Sequence, residues 1–383
     1  MLTITDTAEL TELRRTLHQH PELSGDEFET AKTIVAALQA WNPAEIYTNV
    51  GGHGVAAVYD SGVSGPTILF RAELDALPIQ EVSDIPWASQ VAGKGHMCGH
   101  DGHMMFLMAL ARILSRKPIA KGRVVLMFQP SEENGVGARA VVADEAYTQF
   151  QPDFAYAIHL EPGRPWGYVS TRAGLMNCAS QGLEIRLSGK TAHAADPEDG
   201  ISPASAVAKL IPLLNGLGSG GELNEHFRLV TITHIQVGDY SFGISPGDAL
   251  INVTLRTASD NTLEAIDKAA RDIVLATALE EDLEATFTVC DAFAATVNDA
   301  EATEIAKTAM NAIGVSNGSV GLPMRASEDF GVFGWQAKAA MLCMGPGENY
   351  AALHNPDYDF PDDLIPVGAA IFERITRDLL GEA

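Results

Sequence analysis

The chain has 383 residues, a formal charge of −25 and 46% apolar residues. That length suggests two domains, and the composition is that of a folded protein without low-complexity tracts. The negative balance argues against a nucleic-acid partner, because binding phosphates needs a Lys/Arg-rich surface.

The opening stretch MLTITDTAELTELRRTLHQH lacks an apolar signal core. No run reaches the ~18 apolar residues of a membrane span, so no membrane association is expected. Cys98, Cys178, Cys290 and Cys343 form no CxxC pair, and they read as reduced thiols of a cytoplasmic protein. Cys178, Cys290 and Cys343 are expected to be small buried apolar residues; only Cys98 has polar company.

TAELTELRRTLHQH and DEFETAKTIVAALQAW carry apolar residues at helical spacing, with a break at Pro21. From about residue 55, short apolar runs alternate with helical patterns. PTILFRAELD, GRVVLMFQP (stopped by Pro130) and DFAYAIHL read as strands, and HMMFLMALARILSRK and ARAVVADEA as helices. Such alternation predicts a mainly parallel sheet covered on both faces.

The middle of the chain differs. QGLEIRLSG alternates like a half-exposed strand. ISPASAVAKLIPLLNGL follows as a helix, with Ser202 as its cap and Pro203 at its first position. Then come strands RLVTITHIQVG and DALINVTLRTA, helix TLEAIDKAARDIVLATALEEDLE and strand ATFTVC. Strand, helix, strand, strand, helix, strand is the split ferredoxin-like order. After about residue 292 mixed helix and strand return, including AAMLCMG. The expected architecture is an α/β domain, residues 1–179 and 292–383, interrupted by a ferredoxin-like α+β domain, residues 180–291.

In open α/β sheets ligands bind at the carboxyl ends of strands. Glu73 and Asp75 follow TILF, Glu132 and Glu133 follow VVLMFQ, His159 closes FAYAI, and His354 lies a loop after AAMLCMG. GHMCGHDGHMM, residues 95–105, opens a helix with one cysteine and three histidines. Five segments therefore deliver carboxylate, thiol or imidazole to one sheet edge. Cys98 and His100 can face one ion from a loop, and the helix starting near Asp101 would favour a thiolate. Thiolate, imidazole and carboxylate together suit zinc and similar divalent ions. Adjacent Glu132 and Glu133 diverge, so one can bind metal while the other stays free as a base. A cysteine nucleophile paired with a histidine is the competing reading, and it leaves the glutamate pair unexplained.

The segments LRRTLHQHPELSGDEFET, RAELDALPIQE, GHMCGHDGHM, FQPSEENGVGARAVV, AIHLEPGRPWG, GKTAHAADPEDGISP and LHNPDYDFPDDLIPVG occur in this order. Together they resemble the M20 metallopeptidase clan over nearly the whole chain, in its amidohydrolase branch of hippurate hydrolases, N-acyl-amino-acid amidohydrolases and auxin-conjugate hydrolases. The resemblance implies a two-metal catalytic domain with an inserted lid or dimerisation domain, and a homodimer through that insert. It implies two divalent ions per subunit, Zn, Mn or Co, held by Cys98, His100, Glu133, His159 and His354. Glu132 matches the general base, which would activate a metal-bridging hydroxide against the amide of an N-acyl amino acid. His193 matches a lid histidine that steadies the carbonyl oxygen. Asp75 and Asp101 match positions that orient ligands; His96 and His103 could do the same or pack beside the helix start.

Two departures matter. Glu73 stands where relatives commonly carry Asp, and Gly243 stands where they commonly carry an Asn that contacts substrate. Arg256 and Arg325 are the candidates to hold the substrate carboxylate instead, since Arg pairs carboxylates bidentately. A dipeptidase or carboxypeptidase of the same clan, a non-catalytic binding protein of this fold and a closed structural metal site are the alternatives.

Overall fold

A computed structural model describes residues 2–383. The chain divides into two compact units. One comprises the residues up to Met176 with Thr296–Leu322 and Asp329–Ala383; the other is Asn177–Ala295 with Pro323–Glu328.

The first unit is built on β1 (Glu45–Val50), β2 (Gly54–Asp60), β3 (Thr67–Glu73), β4 (Arg123–Gln129), β5 (Phe154–Leu160) and the strand Lys338–Met344. The sheet runs β1, β2, β4, β3, β5, then Lys338–Met344, and closes with two-residue strands at Val169–Ser170 and Asn317–Gly318. β4, β3, β5 and Lys338–Met344 are mutually parallel neighbours, while β1 and β2 join antiparallel at one edge. Every residue of β3 and β5 is buried, as expected of central parallel strands with both faces covered.

The helices are α1 (Ile4–Gln19), α2 (Phe28–Gln39), α3 (His100–Arg116), α4 (Gly137–Ala143), and further on Ala300–Ala312 and Ile365–Leu380. α3 is buried along nearly its whole length and packs against α1, β3 and the C-terminal helix. That explains why its sequence is apolar on almost every side. Because the four central strands run the same way, Glu73, Gln129, Leu160 and Met344 end at one edge.

The second unit has a four-stranded antiparallel sheet in the order Arg228–Val237, Asp248–Thr257, Ala179–Ser188, Glu284–Phe293. The first and third strands in chain order are central, which is the ferredoxin-like arrangement. Helices Ala204–Asn215 and Asp260–Glu280 pack on it and on each other. Asp248–Thr257 alternates buried and part-exposed residues, the period that marks a half-covered strand.

Three local expectations are corrected. The helix after Ser202 begins at Ala204 with Pro203 at its cap, and Ser202 Oγ accepts the Ala204 N–H at 3.4 Å instead of capping the helix. Cys290 is exposed, because it lies in a largely exposed stretch of the edge strand Glu284–Phe293; Cys178 and Cys343 are buried. The sheet also starts earlier than about residue 55: β1 is polar and half-exposed, so its sequence carries no apolar run. Among the described residues no helix is long and apolar enough to cross a membrane.

Candidate metal centre

The carboxyl edge of the parallel strands collects the donors. Cys98 and His100 straddle Gly99, which has φ +83° and lets the chain turn sharply into α3. Both side chains are buried. His159 is the penultimate residue of β5, and its Nε2 lies 3.5 Å from Cys98 Sγ. His354, itself at φ +65°, reaches Glu133 Oε2 at 3.6 Å from an exposed loop whose backbone is tied to Met97 O at 2.8 Å. Two groups of potential ligand atoms, each within 4.8 Å of one another, meet at the thiol: Cys98/His100/His159 and Cys98/Glu133/His354. A third joins His100 to Glu132 and Glu133.

The protonation pattern fits a cation. His159 Nδ1 donates to Leu160 O at 2.7 Å, which leaves Nε2 as a lone pair facing the thiol. Burial, with His103 and His100 nearby, holds its pKa well below the usual histidine value. His100 Nδ1 donates to Asp75 O at 2.8 Å. Its Nε2 is buried without a hydrogen-bond partner and faces Glu132 Oε2 at 3.9 Å and Glu133 Oε1 at 3.8 Å. Burial disfavours the imidazolium, yet Glu73, Asp75 and Glu133 outweigh it and push the His100 pKa up to about 10. The site therefore calls for positive charge at that spot, which a proton or a metal ion can supply.

Burial, followed by the Glu133, Glu132 and Glu73 carboxylates, raises the Cys98 thiol well above its usual range. This corrects the expectation that the helix start alone favours a thiolate. The half-charge of a helix end is outweighed by burial and three carboxylates, and a bound cation would reverse the balance.

Glu73, His100 and His103 also lie within ligand reach of one another. His103, however, is fully committed. Its Nε2 accepts the Leu160 N–H at 3.0 Å, so its proton sits on Nδ1 and goes to Glu73 Oε2 at 2.9 Å. Glu73 Oε1 pairs with Arg71, which also binds Gln129 and Asp329. This trio braces β5 beside His159 rather than facing an ion. His96 is buried between, with no hydrogen-bond partner on either nitrogen, and burial pushes its pKa down to about 4.

Asp75 Oδ2 accepts from Ser24 Oγ at 2.7 Å and from the Glu133 N–H at 2.9 Å. It thus fixes Glu133 by its side chain and His100 by its carbonyl. Asp101 turns away from the donors. Its Oδ2 takes His18 Nδ1 at 2.8 Å and Arg14 Nη1 at 3.1 Å, fastening α3 to α1. Arg14 is fully buried and also holds Asp359 and Asp362.

In the second unit, His193 forms a two-residue strand paired with Ile244–Ser245. Its ring is exposed, and its Nδ1 accepts the Ala195 N–H at 3.1 Å. Arg256 Nη1 donates to Ser327 Oγ and to Arg325 O, both at 2.9 Å. Arg325 is exposed, donates to Gly221 O and lies 5.2 Å over the Phe227 ring. The structure brings these two arginines together through the Arg325 backbone.

Sequence reasoning missed Arg14, His18, Glu27, Gln129 and Asp329. Arg14, His18 and Glu27 all lie in LRRTLHQHPELSGDEFET, and that was the signal: a polar run this rich inside a helical pattern is unusual for a solvated face alone.

The description of peptidase family M20/M25/M40 matches residues 69–378. Hippurate hydrolase of Campylobacter jejuni is 30% identical over 374 residues, covering 97% of each chain. N-acetylcysteine deacetylase of Bacillus subtilis is 34% identical over 265 residues, 69% of each chain. Among solved structures, the YXEP protein of Bacillus subtilis, a dinuclear metal binding peptidase, matches with a TM-score of 0.81 at 28% identity, covering 98% of this chain and 99% of that one.

Proposed function

Since the chain belongs to peptidase family M20/M25/M40 and is a metal-dependent amidohydrolase, we propose that it hydrolyses N-acyl amino acids to a carboxylic acid and an amino acid, with Glu132 as general base. Both relatives named above act, by their names, on amides of this kind. Cys98, His100, Glu133, His159 and His354 would hold two divalent ions, of which Zn, Mn and Co suit the donors. Bound there, the ions supply Lewis-acid polarisation of the carbonyl and lower the pKa of a water.

One observation carries the division of labour. Glu133 lies within ligand reach of Cys98 and His354, whereas its neighbour Glu132 groups with His100 and Glu133 but not with the thiol. Glu132 is buried beside this group, and in this reading it takes a proton from the attacking water and passes it to the leaving nitrogen. Asp75 aims His100 and Glu133. His193 would steady the carbonyl oxygen as its charge grows. Arg325, with its exposed guanidinium, and Arg256, anchored on Ser327, are the candidates to receive the substrate carboxylate. A homodimer through residues 180–291 belongs to the same proposal, and sedimentation equilibrium tests it.

The deciding experiment is a substrate panel. Acetyl, benzoyl and indoleacetyl amino acids are assayed beside dipeptides, with each of Zn, Mn and Co. The proposal expects kcat/KM to be higher for the acyl amino acids. Preference for dipeptides would move the chain to the peptidase reading, and no turnover of any amide with any metal would leave a binding protein.

A further inference from the structure

The turn that carries Glu132 and Glu133 rests on a residue in an unfavourable conformation. Ser131 has φ +54°, in the left-handed region that side chains disfavour. Such a residue persists only when its surroundings over-determine it.

The surroundings come from the loop between α1 and α2. Glu27 is fully buried, and its Oε1 accepts the Ser131 N–H at 2.8 Å, Ser131 Oγ at 3.3 Å and the Gly25 N–H at 2.9 Å. Two residues on, the Glu133 N–H is held by Asp75, which Ser24 of the same loop holds in turn. The backbone N–H groups on both sides of Glu132 are thus fixed by the Ser24–Glu27 segment, one directly and one through Asp75. The loop is itself secured: Glu22 O accepts the Ala76 N–H at 2.8 Å, and the Glu22 carboxylate caps the Glu29 and Thr30 N–H groups at 3.2 and 2.8 Å.

Glu27 also breaks a local rule. It occupies the N-cap of α2, where Ser, Thr, Asp or Asn is favoured, and makes no capping bond. Its side chain reaches across to residue 131 instead, and local rules are most often broken where function needs it.

The geometry points to Glu27 as a positioning residue that holds Ser131 in its left-handed conformation and so sets where the Glu132 carboxylate stands beside the metal donors. This rests on the reading of Glu132 as the general base. Glu27 touches no reacting atom; it acts through the backbone of the turn.

The test uses the metal-loaded protein and four variants. Glu27→Gln keeps an acceptor oxygen at the same reach, so it should keep kcat within about threefold of the parent. Glu27→Asp keeps the charge but withdraws it by one methylene. It should lose about tenfold to hundredfold in kcat, the scale of an ångström of misplacement, with KM and metal content little changed. Amide exchange at Ser131 should quicken in that variant. Adding Ser131→Gly should restore much of the loss, because glycine adopts this backbone unaided.

A Glu27→Asp chain with parent kcat and unchanged Ser131 exchange overturns the inference. So does a loss that follows metal content, or one that Ser131→Gly leaves untouched. Should Glu27→Asp not fold alone, it is measured in the Ser131→Gly background, where near-parent kcat supports the role and its loss overturns it. Glu132→Gln, run in parallel, separates the two readings. If it keeps turnover, the general-base reading fails; if it loses turnover while Glu27→Asp does not, only the positioning role fails.

Discussion

His100 Nδ1 donates to the backbone carbonyl of Asp75 at 2.8 Å, and this bond decides which imidazole nitrogen meets a cation. With Nδ1 committed to that carbonyl, Nε2 is the nitrogen that faces the carboxylates, where a proton or a metal ion supplies the positive charge. His103, one turn along α3, has the reverse fate: both its nitrogens are used by Glu73 and Leu160. His100→Ala should therefore lose bound metal on dialysis. His103→Gln should keep it with affinity weakened about 10–100-fold, as for other residues that support a ligand. Elemental analysis of both variants checks this; equal loss in the two would place His103 among the ligands.

Glu132→Gln removes the proposed proton acceptor and leaves the Cys98, Glu133 and His354 group untouched. Metal content should hold while kcat falls by about 10²–10⁴-fold, the usual range for a general base. Near-parent turnover would strip Glu132 of the role.

The sheet and its active edge were legible because their signals are local. Apolar strands ending in Glu73, Gln129 and Leu160 announce themselves, and motif spacing brings Cys98, Glu132 and His159 along with them. What stayed hidden is what depends on contact at long sequence separation. Asp101 looks like a ligand's helper from its place beside His100, yet its carboxylate serves Arg14 and His18 on α1. Glu27 looks like a helix-start acid, yet its bonds go to Ser131. Neither partner is set by spacing or periodicity; each is fixed only when α1 and the loop after it dock beside α3 and β4.

That docking gives folding stability a pH dependence. His18 lies between Asp101 at 2.8 Å and Glu81 at 3.3 Å. Burial disfavours its cation, but Asp101 and Glu81 outweigh burial and the nearby Arg14, and its pKa rises to about 9. In the unfolded chain it lies near 6.5, so its contribution is fully present below about pH 6.5 and is lost as pH rises through about 9. The shift corresponds to about 3 kcal/mol as an order of magnitude. In urea unfolding of the chelated protein, the stability gap between the parent and His18→Gln should be largest near pH 6 and shrink towards pH 10. A gap that does not change with pH would mean that His18 contributes packing alone.

Thiol reactivity separates the cysteines. Cys290 is exposed, whereas Cys98, Cys178 and Cys343 are buried. Burial also raises Cys178 to about 11 and Cys98 well above its usual range, which removes the reactive thiolate. A native chain should titrate one fast thiol with an aromatic disulfide reagent, and Cys290→Ser should abolish that phase. A fast phase that survives in Cys290→Ser would mean that one of the buried thiols opens to solvent.

Gly243 offers a test of how the substrate is held. By the resemblance it occupies the place of a substrate-contacting Asn, in the segment whose Ile244 pairs with His193. A Cβ built at Gly243 meets nothing within 4 Å, and its φ is not in the left-handed region, so a side chain fits without strain. Its carbonyl accepts the Ala194 N–H at 3.0 Å, a bond that any residue can make. Gly243→Asn should therefore fold with an unfolding temperature close to the parent's. If the Asn side chain reaches the substrate as the resemblance implies, KM for acyl amino acids should fall while kcat changes little, the signature of added uniform binding. The same substitution should leave an acyl amine without a carboxylate unaffected. An unchanged KM for both substrates would mean that Gly243 lies outside the binding surface, and that this chain holds the carboxylate from elsewhere, with Arg256 and Arg325 the next residues to vary.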